Sequence, residues 1–316
     1  MLVRIIKNWD SPDLKRQTPG TSGHWDDVQF TFDDVEECDA VIVLNTVTAP
    51  VRVYCSPGNV WSLIQEPYVP GSREWMVNGH ERYSYVFTHH QLPRFNQKKY
   101  IRCQPAVPWH VNKNYDELKL LNAPTKQKQL SWITSNLTLL PGHKARVDFL
   151  NFLGASNITI DIYGKGINFI EDKWDGLAPY RYSLAIENSS SPDYWTEKVA
   201  DCFLSWTVPI YYGCTNLEEY FPSGAFIRID ITRPQEALEI IRNVLVSDDW
   251  DSRLHALKEA RELVLDKYQF FPQACNLIER YHKKSVPKQL ELHPYRERNV
   301  LLKKLRRRLS WLLGRA

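Results

Sequence analysis

The chain has 316 residues, 43% hydrophobic and 24% charged, which suits two compact domains with real cores and little disorder. A formal net charge of +3 excludes a generally basic nucleic-acid binder, although Arg296 to Ala316 is dense in Lys and Arg and leaves the remainder mildly acidic. The opening MLVRIIKNWDSPD has no apolar run of signal-peptide or anchor length. Cys38, Cys55, Cys103, Cys202, Cys214 and Cys275 contain no CxxC pair, hence no zinc pattern and no compact disulfide framework. They read as reduced, buried thiols of a cytoplasmic protein, in which the sequons at Asn136 and Asn188 carry no meaning. The many Trp, Tyr and Phe residues suit either core packing or the C–H face of a sugar, and packing is the commoner use.

Short β-branched or aromatic runs at Leu2–Ile6, Ala40–Leu44, Val51–Cys55, Val60–Ile64 and Tyr83–Phe87 predict buried strands of an open sheet. The pattern stops near Pro105–Pro108, and the polar stretch 116–129 reads as an interdomain connection. Beyond it, strands are expected at 130–134, 158–163, 182–186, 208–212 and 226–229. Helices are expected at 143–153, 196–206, 234–246 and through a long stretch from 250 to 280. Such alternation argues a parallel sheet with helices on both faces, so the fold class is α/β with two Rossmann-like domains. The expected division is a first Rossmann-like domain at 1–124, a second at 125–285 and a basic tail at 286–316.

The chemistry concentrates in YRYSLAIENSSSPDYWTEKVADCFLSWTVPIYYG, residues 180–213. It reads as strand, polar loop, helix and strand, with the loop at a strand's carboxyl end, where open α/β sheets bind ligands. Ser189, Ser190, Ser191 and Asp193 offer hydroxyls and a carboxylate, and the helix N-terminus with Lys198 suits a diphosphate. Equally open on spacing alone is a plain cap, with Thr196 and Glu197 closing the helix and Lys198 solvated.

The string Glu187-Asn188-Ser189 followed by Asp193-Tyr194-Trp195-Thr196-Glu197-Lys198 resembles the signature of glycosyltransferase family 10, the α1,3/4-fucosyltransferases. Val208-Pro209-Ile210-Tyr211-Tyr212-Gly213 resembles the family's next strand, and Ile186 stands where many members carry Phe. Upstream, Thr134-Ser135-Asn136 and Lys144 to Leu150 resemble its serine-asparagine loop and the helix with its phosphate-binding arginine, here Arg146. More weakly, Trp61 to Pro67 resembles the strand that ends in the family's proposed general base, here Glu66. Without the family, Glu66 is equally a strand-end carboxylate accepting backbone N–H groups.

The resemblance implies a GT-B fold, with acceptor binding by the first domain and nucleotide-sugar binding by the second, and an inverting transfer of L-fucose from GDP-fucose to a glycan hydroxyl. Glu66 would be the base, Arg146 and Lys198 would hold the diphosphate, and Tyr194 would bond phosphate or sugar. Glu197 would accept from ribose hydroxyls, and Asn188 would orient the loop or donor. It leaves another nucleotide sugar, or a non-catalytic glycan- or nucleotide-binding protein, as rivals. No cofactor and no essential metal are expected, since Asp249-Trp250-Asp251 sits where carboxylates cap a helix. The partners implied are a nucleotide sugar and an oligosaccharide acceptor, with no nucleic acid. Leu301, Leu302, Leu305, Leu309, Leu312 and Leu313 share one helical face opposite Lys303, Lys304 and Arg306 to Arg308. Such a helix is expected to lie on the anionic inner face of a membrane.

Overall fold

The computed structural model describes residues 1–70, 73–138 and 141–295. The basic amphipathic stretch beginning at Arg296 therefore lies outside the described residues.

Two parallel sheets organise the chain. The first comprises β1 (Leu2–Ile6), β2 (His24–Trp25), β3 (Val28–Thr31), β4 (Ala40–Leu44), β6 (Val60–Leu63), β7 (Tyr85–Thr88) and β8 (Tyr100–Arg102). Its order is β2-β3-β1-β4-β6-β7-β8, with β2–β3 the antiparallel pair. The second comprises β9 (Lys128–Ile133), β10 (Asp161–Tyr163), β11 (Tyr180–Ile186), β12 (Val208–Tyr212) and β13 (Ile227–Arg228), in the order β10-β9-β11-β12-β13. Val, Ile and Leu fill β4 because both of its faces are covered, and all five residues are buried.

Each sheet has one switch point, where successive connections leave in opposite directions. In the first it lies between β1 and β4, in the second between β9 and β11. Ligands of open α/β sheets sit outside the carboxyl ends of strands at such points. Here those ends deliver Asn8, Trp9 and Asn45 from one sheet, and Thr134, Ser135 and Asn188 from the other, to the walls of two adjoining cavities.

Among the described residues, six α-helices pack on the sheets: α1 (Tyr115–Leu120), α2 (Pro141–Gly154), α3 (Glu197–Leu204), α4 (Pro234–Ser247), α5 (Leu254–Leu263) and α6 (Phe270–Tyr281). Several expectations are corrected. The polar stretch 116–129 contains most of α1, which is started by a reciprocal Asn114–Glu117 capping box, and β9 begins within it at Lys128. The long helix from 250 to 280 is broken by a π turn at Val264–Tyr268, after which the Gln269 side chain caps α6. The break redirects the chain, because Phe270, Phe271, Ala274, Leu277 and Ile278 pack with the core of the first sheet, whereas Leu257 and Ala260 belong to the second.

Val51–Cys55 (β5) is a strand, but it lies outside the open sheet and pairs antiparallel with β14 (Lys288–Leu292). Alternating exposure at Arg52 and Tyr54 identifies it as one-sided. Asp249 does not cap a helix. Its carboxylate accepts from the Arg253 guanidinium, at 2.7 Å from Nη2, and from the Tyr182 hydroxyl at 3.1 Å.

The sheets are tied by Arg102 at the end of β8, whose Nη2 donates to Asp193 Oδ1 at 2.7 Å. Asp193 is buried and also accepts from Tyr220 at 2.7 Å and Asn216 at 3.0 Å, and these donors hold its pKa down against the opposing effect of burial. Its carboxylate therefore serves the junction and not a ligand. Gln104 Nε2 reaches the Tyr268 carbonyl at 2.8 Å and strengthens the same junction.

Before β9, buried Lys126 donates to the carbonyls of Ala178 and Ser205 and to Thr207 Oγ1. With only neutral acceptors around it, burial lowers its pKa to about 7 from 10.5. Between those values the unfolded chain binds a proton that the native lysine lacks, so this group adds stability as pH rises from about 7 toward 10. Lys126→Met should remove the increment. The stability gap between wild type and variant should widen by about 2 kcal/mol from pH 7 to pH 9 in denaturant titrations. A constant gap would mean that Lys126 stays charged.

Candidate active site

Glu187 closes β11 and is fully buried. Its Oε1 accepts the Thr196 backbone N–H at 2.8 Å, the Thr196 hydroxyl lies 2.8–2.9 Å from both carboxylate oxygens, and Lys198 Nζ lies 3.2 Å from Oε2. Thr196 is also the N-cap of α3, so one residue starts the helix and matches the carboxylate. Lys198 Nζ further meets Thr196 Oγ1 at 3.1 Å and Glu197 Oε1 at 3.4 Å. Burial raises the Glu187 pKa despite Lys198, and Lys198 itself is raised because Glu187 and Glu197 outweigh its own burial. Lys198 is thus a fixed cation and not a solvated helix-surface lysine.

Glu197 has a second cationic neighbour, Lys173, whose Nζ lies 3.4 Å away and 3.2 Å from Asp201 Oδ2. Burial alone would raise the Glu197 pKa, but Lys198, Lys173 and His110 hold it well below the usual carboxylate range. Glu197 is therefore an ionised acceptor suited to hydroxyl groups. Asp201 also accepts the His110 backbone N–H at 2.8 Å, which anchors the connecting segment over the site.

Arg146 projects from α2 and is 5% exposed. Its Nη1 donates to Asn188 Oδ1, its Nη2 donates to Ser135 Oγ at 3.0 Å, and its buried Nε has no hydrogen-bond partner. Burial lowers its pKa, with Glu187 and Glu197 opposing. The helix can approach this closely because residue 142 is glycine. A Cβ there would lie 1.7 Å from the Asn188 carbonyl oxygen.

Glu66 lies three residues beyond β6 in a loop held rigidly on either side. The backbone N–H of buried Gln65 donates to Asn45 Oδ1 at 2.8 Å, and its side-chain amide donates to the Pro105 and Ala106 carbonyls at 3.1 Å each. His90 Nε2 meets the Glu66 carbonyl at 3.0 Å. The Glu66 carboxylate is half exposed and pairs with Arg73 Nη1 at 2.8 Å.

Glu66, Asn188, Tyr194, Glu197 and Lys198 line one cavity of about 550 Å³, while Arg146, Glu197 and Lys198 line its neighbour of about 540 Å³. All six residues singled out in the sequence are thereby brought together. Tyr194 is the most enclosed at 2% exposure, and its ring centroid lies 4.9 Å from that of His89. The loop serines divide differently. Ser190 donates to the Gly213 carbonyl at 3.0 Å, and Ser189 and Ser190 face a separate 320 Å³ cavity.

Residues 123–293 match the family described as glycosyltransferase family 10 (fucosyltransferase), C-terminal part. The chain belongs to glycosyltransferase family 10. Mouse 4-galactosyl-N-acetylglucosaminide 3-alpha-L-fucosyltransferase 9 is 34% identical to this family 10 chain over 131 residues, and the human protein of that name gives the same figures. That match covers 40% of this chain and 35% of the relative's length. Among solved structures, an alpha1,3-fucosyltransferase superposes with TM-score 0.51 at 15% identity, covering 85% of this chain and 92% of the other. A glycosyltransferase from Rickettsia africae gives 0.51 at 9% identity, covering 90% and 99%. The shared fold is GT-B, two Rossmann-like units facing across a cleft.

Sequence reasoning missed Glu187, Lys173, Gly142 and Arg73 as parts of the site. Glu187 stood inside the signature string, and its place at a strand end before a helix was the available signal. Lys173 precedes Glu197 by 24 positions on a different loop, and no local pattern announces it.

Gly142 permits a test with an unusual sign. A helical Gly→Ala change ordinarily stabilises by about 0.5–1 kcal/mol. Gly142→Ala should instead destabilise, because the methyl group meets backbone at 1.7 Å. Chemical denaturation should show a lower midpoint for the variant, and a raised midpoint would contradict the packing.

Proposed function

We propose that the chain is an inverting glycosyltransferase that moves L-fucose from GDP-fucose to a hydroxyl of a glycan acceptor. The observation that carries the reading is the cluster of Lys198, Arg146 and ionised Glu197 opposite Glu66 across adjoining cavities. Family membership supports fucosyl transfer, as do relatives named 3-alpha-L-fucosyltransferases.

In this reaction the acceptor oxygen attacks the anomeric carbon as its proton passes to the Glu66 carboxylate. The bond from that carbon to the diphosphate oxygen breaks, and its electron pair leaves with GDP. Lys198 as a point charge and Arg146 as a fork would offset the charge that grows on the leaving group. Arg146 Nε is the uncommitted donor, whereas Lys198 must be shared with Glu187 and Glu197. Glu197 would accept from ribose hydroxyls, Tyr194 would bond the donor, and Asn188, fixed by Arg146, would orient the loop. Glu66 Oε2 is paired with Arg73 Nη1, so the hydroxyl proton would pass to the other carboxylate oxygen, Oε1. The chemistry assigned to these side chains requires no metal step.

Titration calorimetry with GDP, UDP and GDP-fucose tests the donor. GDP and GDP-fucose should bind, UDP should bind far more weakly, and Lys198→Ala should lose GDP. Preference for UDP would keep the fold and overturn the fucosyl donor. Glu66→Gln should lower kcat by about 10²–10⁴-fold while leaving GDP binding within about twofold. A variant that keeps its rate would remove Glu66 from the role of base.

A further inference from the structure

The loop after β1 brings a cation to the 540 Å³ cavity from the first sheet. Arg16 sits in a single 3₁₀ turn, Leu14–Gln17, and lines that cavity together with Ser11 and Pro12 of the same loop. The turn is firmly held. Asp13 accepts the Lys15 backbone N–H at 3.0 Å, Leu14 and Gln17 are buried, and the Gln17 carbonyl accepts from Gln269 Nε2 at 3.0 Å. Arg16 Nη2 donates to the Trp109 carbonyl at 2.6 Å, which pins the guanidinium to the segment joining the two sheets.

The charge of Arg16 is not matched in the same way. Its Nε is buried without a hydrogen-bond partner, and no carboxylate among the described residues forms an ion pair with it. Asp201, Asp172 and Asp13 act on it only at longer range, and each is committed elsewhere. Asp201 holds Lys173 and the His110 N–H, Asp172 accepts the backbone N–H groups of Asn112 and Trp174 at 2.9 Å each, and Asp13 caps the turn. Burial therefore lowers the Arg16 pKa against their opposing pull. A partly buried guanidinium without a matched anion is unfavourable, and it sits on the wall of a cavity.

The second sheet's own charges cannot supply what a diphosphate needs. Lys198, Lys173 and Arg146 are offset by Glu187, Glu197 and Asp201. At the rim of the same cavity Lys165 and Glu171 are exposed and opposite in sign. Arg16 is the remaining charge on these walls, and it enters from the other sheet. A planar guanidinium held by one nitrogen still offers another edge to a phosphate oxygen.

We propose that Arg16 is a further donor-binding residue, a first-domain guanidinium that contacts the diphosphate of the nucleotide sugar opposite Lys198 and Arg146. The proposal rests on the reading of this cleft as a nucleotide-sugar site. With Nη2 held by Trp109, Nη1 would be the contacting nitrogen. The donor would then bridge the two sheets through its phosphates, and the first domain would serve the donor as well as the acceptor.

The test compares a nucleoside diphosphate with its nucleoside, in the full chain and two variants. Arg16→Gln removes the charge and keeps an N–H donor for the Trp109 carbonyl, and Arg16→Lys keeps the charge. Titration calorimetry with GDP should show Arg16→Gln ten-fold or more weaker than wild type, with Arg16→Lys within about threefold of wild type. Guanosine, followed by saturation-transfer NMR, should bind wild type and both variants within about twofold. Retention of GDP affinity in Arg16→Gln while Lys198→Ala loses it would strike Arg16 alone and leave the donor site standing. Equal weakening of GDP and guanosine would also overturn the proposal, because Arg16 would then be shaping the cavity or holding the nucleoside. So would an Arg16→Lys variant as weak as Arg16→Gln, since the charge would not be what matters. Preference for UDP would overturn the fucosyl donor, and the same comparison would then be read with UDP and uridine.

Discussion

A carboxylate removed from water costs several kcal/mol unless its oxygens are matched. Glu187 is in that position, and its partners are all drawn from the first residues of the next helix. Satisfying it fixes where the loop after β11 must go, where α3 begins and where Lys198 stands. Gly213 lets the neighbouring strand end come close, since a Cβ there would lie 2.4 Å from Glu187 Cγ. Removing the carboxylate would therefore release the helix start and the cation together.

That arrangement leaves the site close to neutral, with Lys198, Lys173 and Arg146 facing Glu187, Glu197 and Asp201. A diphosphate entering such a site meets donors already committed to carboxylates. Its binding would depend on the shared Lys198, the unpartnered Arg146 Nε and the oriented N–H groups at the start of α3. The Arg102–Asp193 junction complements this by holding the second sheet's loop against the last strand of the first. Two switch points, each set by strand order, then face one another across the cleft.

Much of this was legible in the sequence because local chemistry and long-range geometry agreed. Val208–Tyr212 and Ala40–Leu44 were found with their observed bounds, since continuous apolar runs between polar residues admit few alternatives. The six site residues converge because the signature carries them on one strand–loop–helix unit, with Glu66 and Arg146 added by family likeness. What escaped depended on distant pairing. β14 is a polar stretch that becomes a strand only by pairing with β5, and Tyr100–Arg102 is three residues long. The break before α6 has no Gly or Pro inside Val264–Tyr268, so the switch from one core to the other is invisible in periodicity. Asp193 looked like a ligand for the cleft because its partner, Arg102, is 91 positions away.

The central claim is that this fold and site transfer fucose with inversion at the anomeric carbon. The most direct measurement is NMR of the product formed from GDP-β-L-fucose and a panel of glycan acceptors, with GDP release followed in the same tube. The account predicts stoichiometric GDP and a new α-linked fucose on a glycan hydroxyl. A β-linked product, or consumption of a different nucleotide sugar while GDP-fucose stays intact, would contradict it.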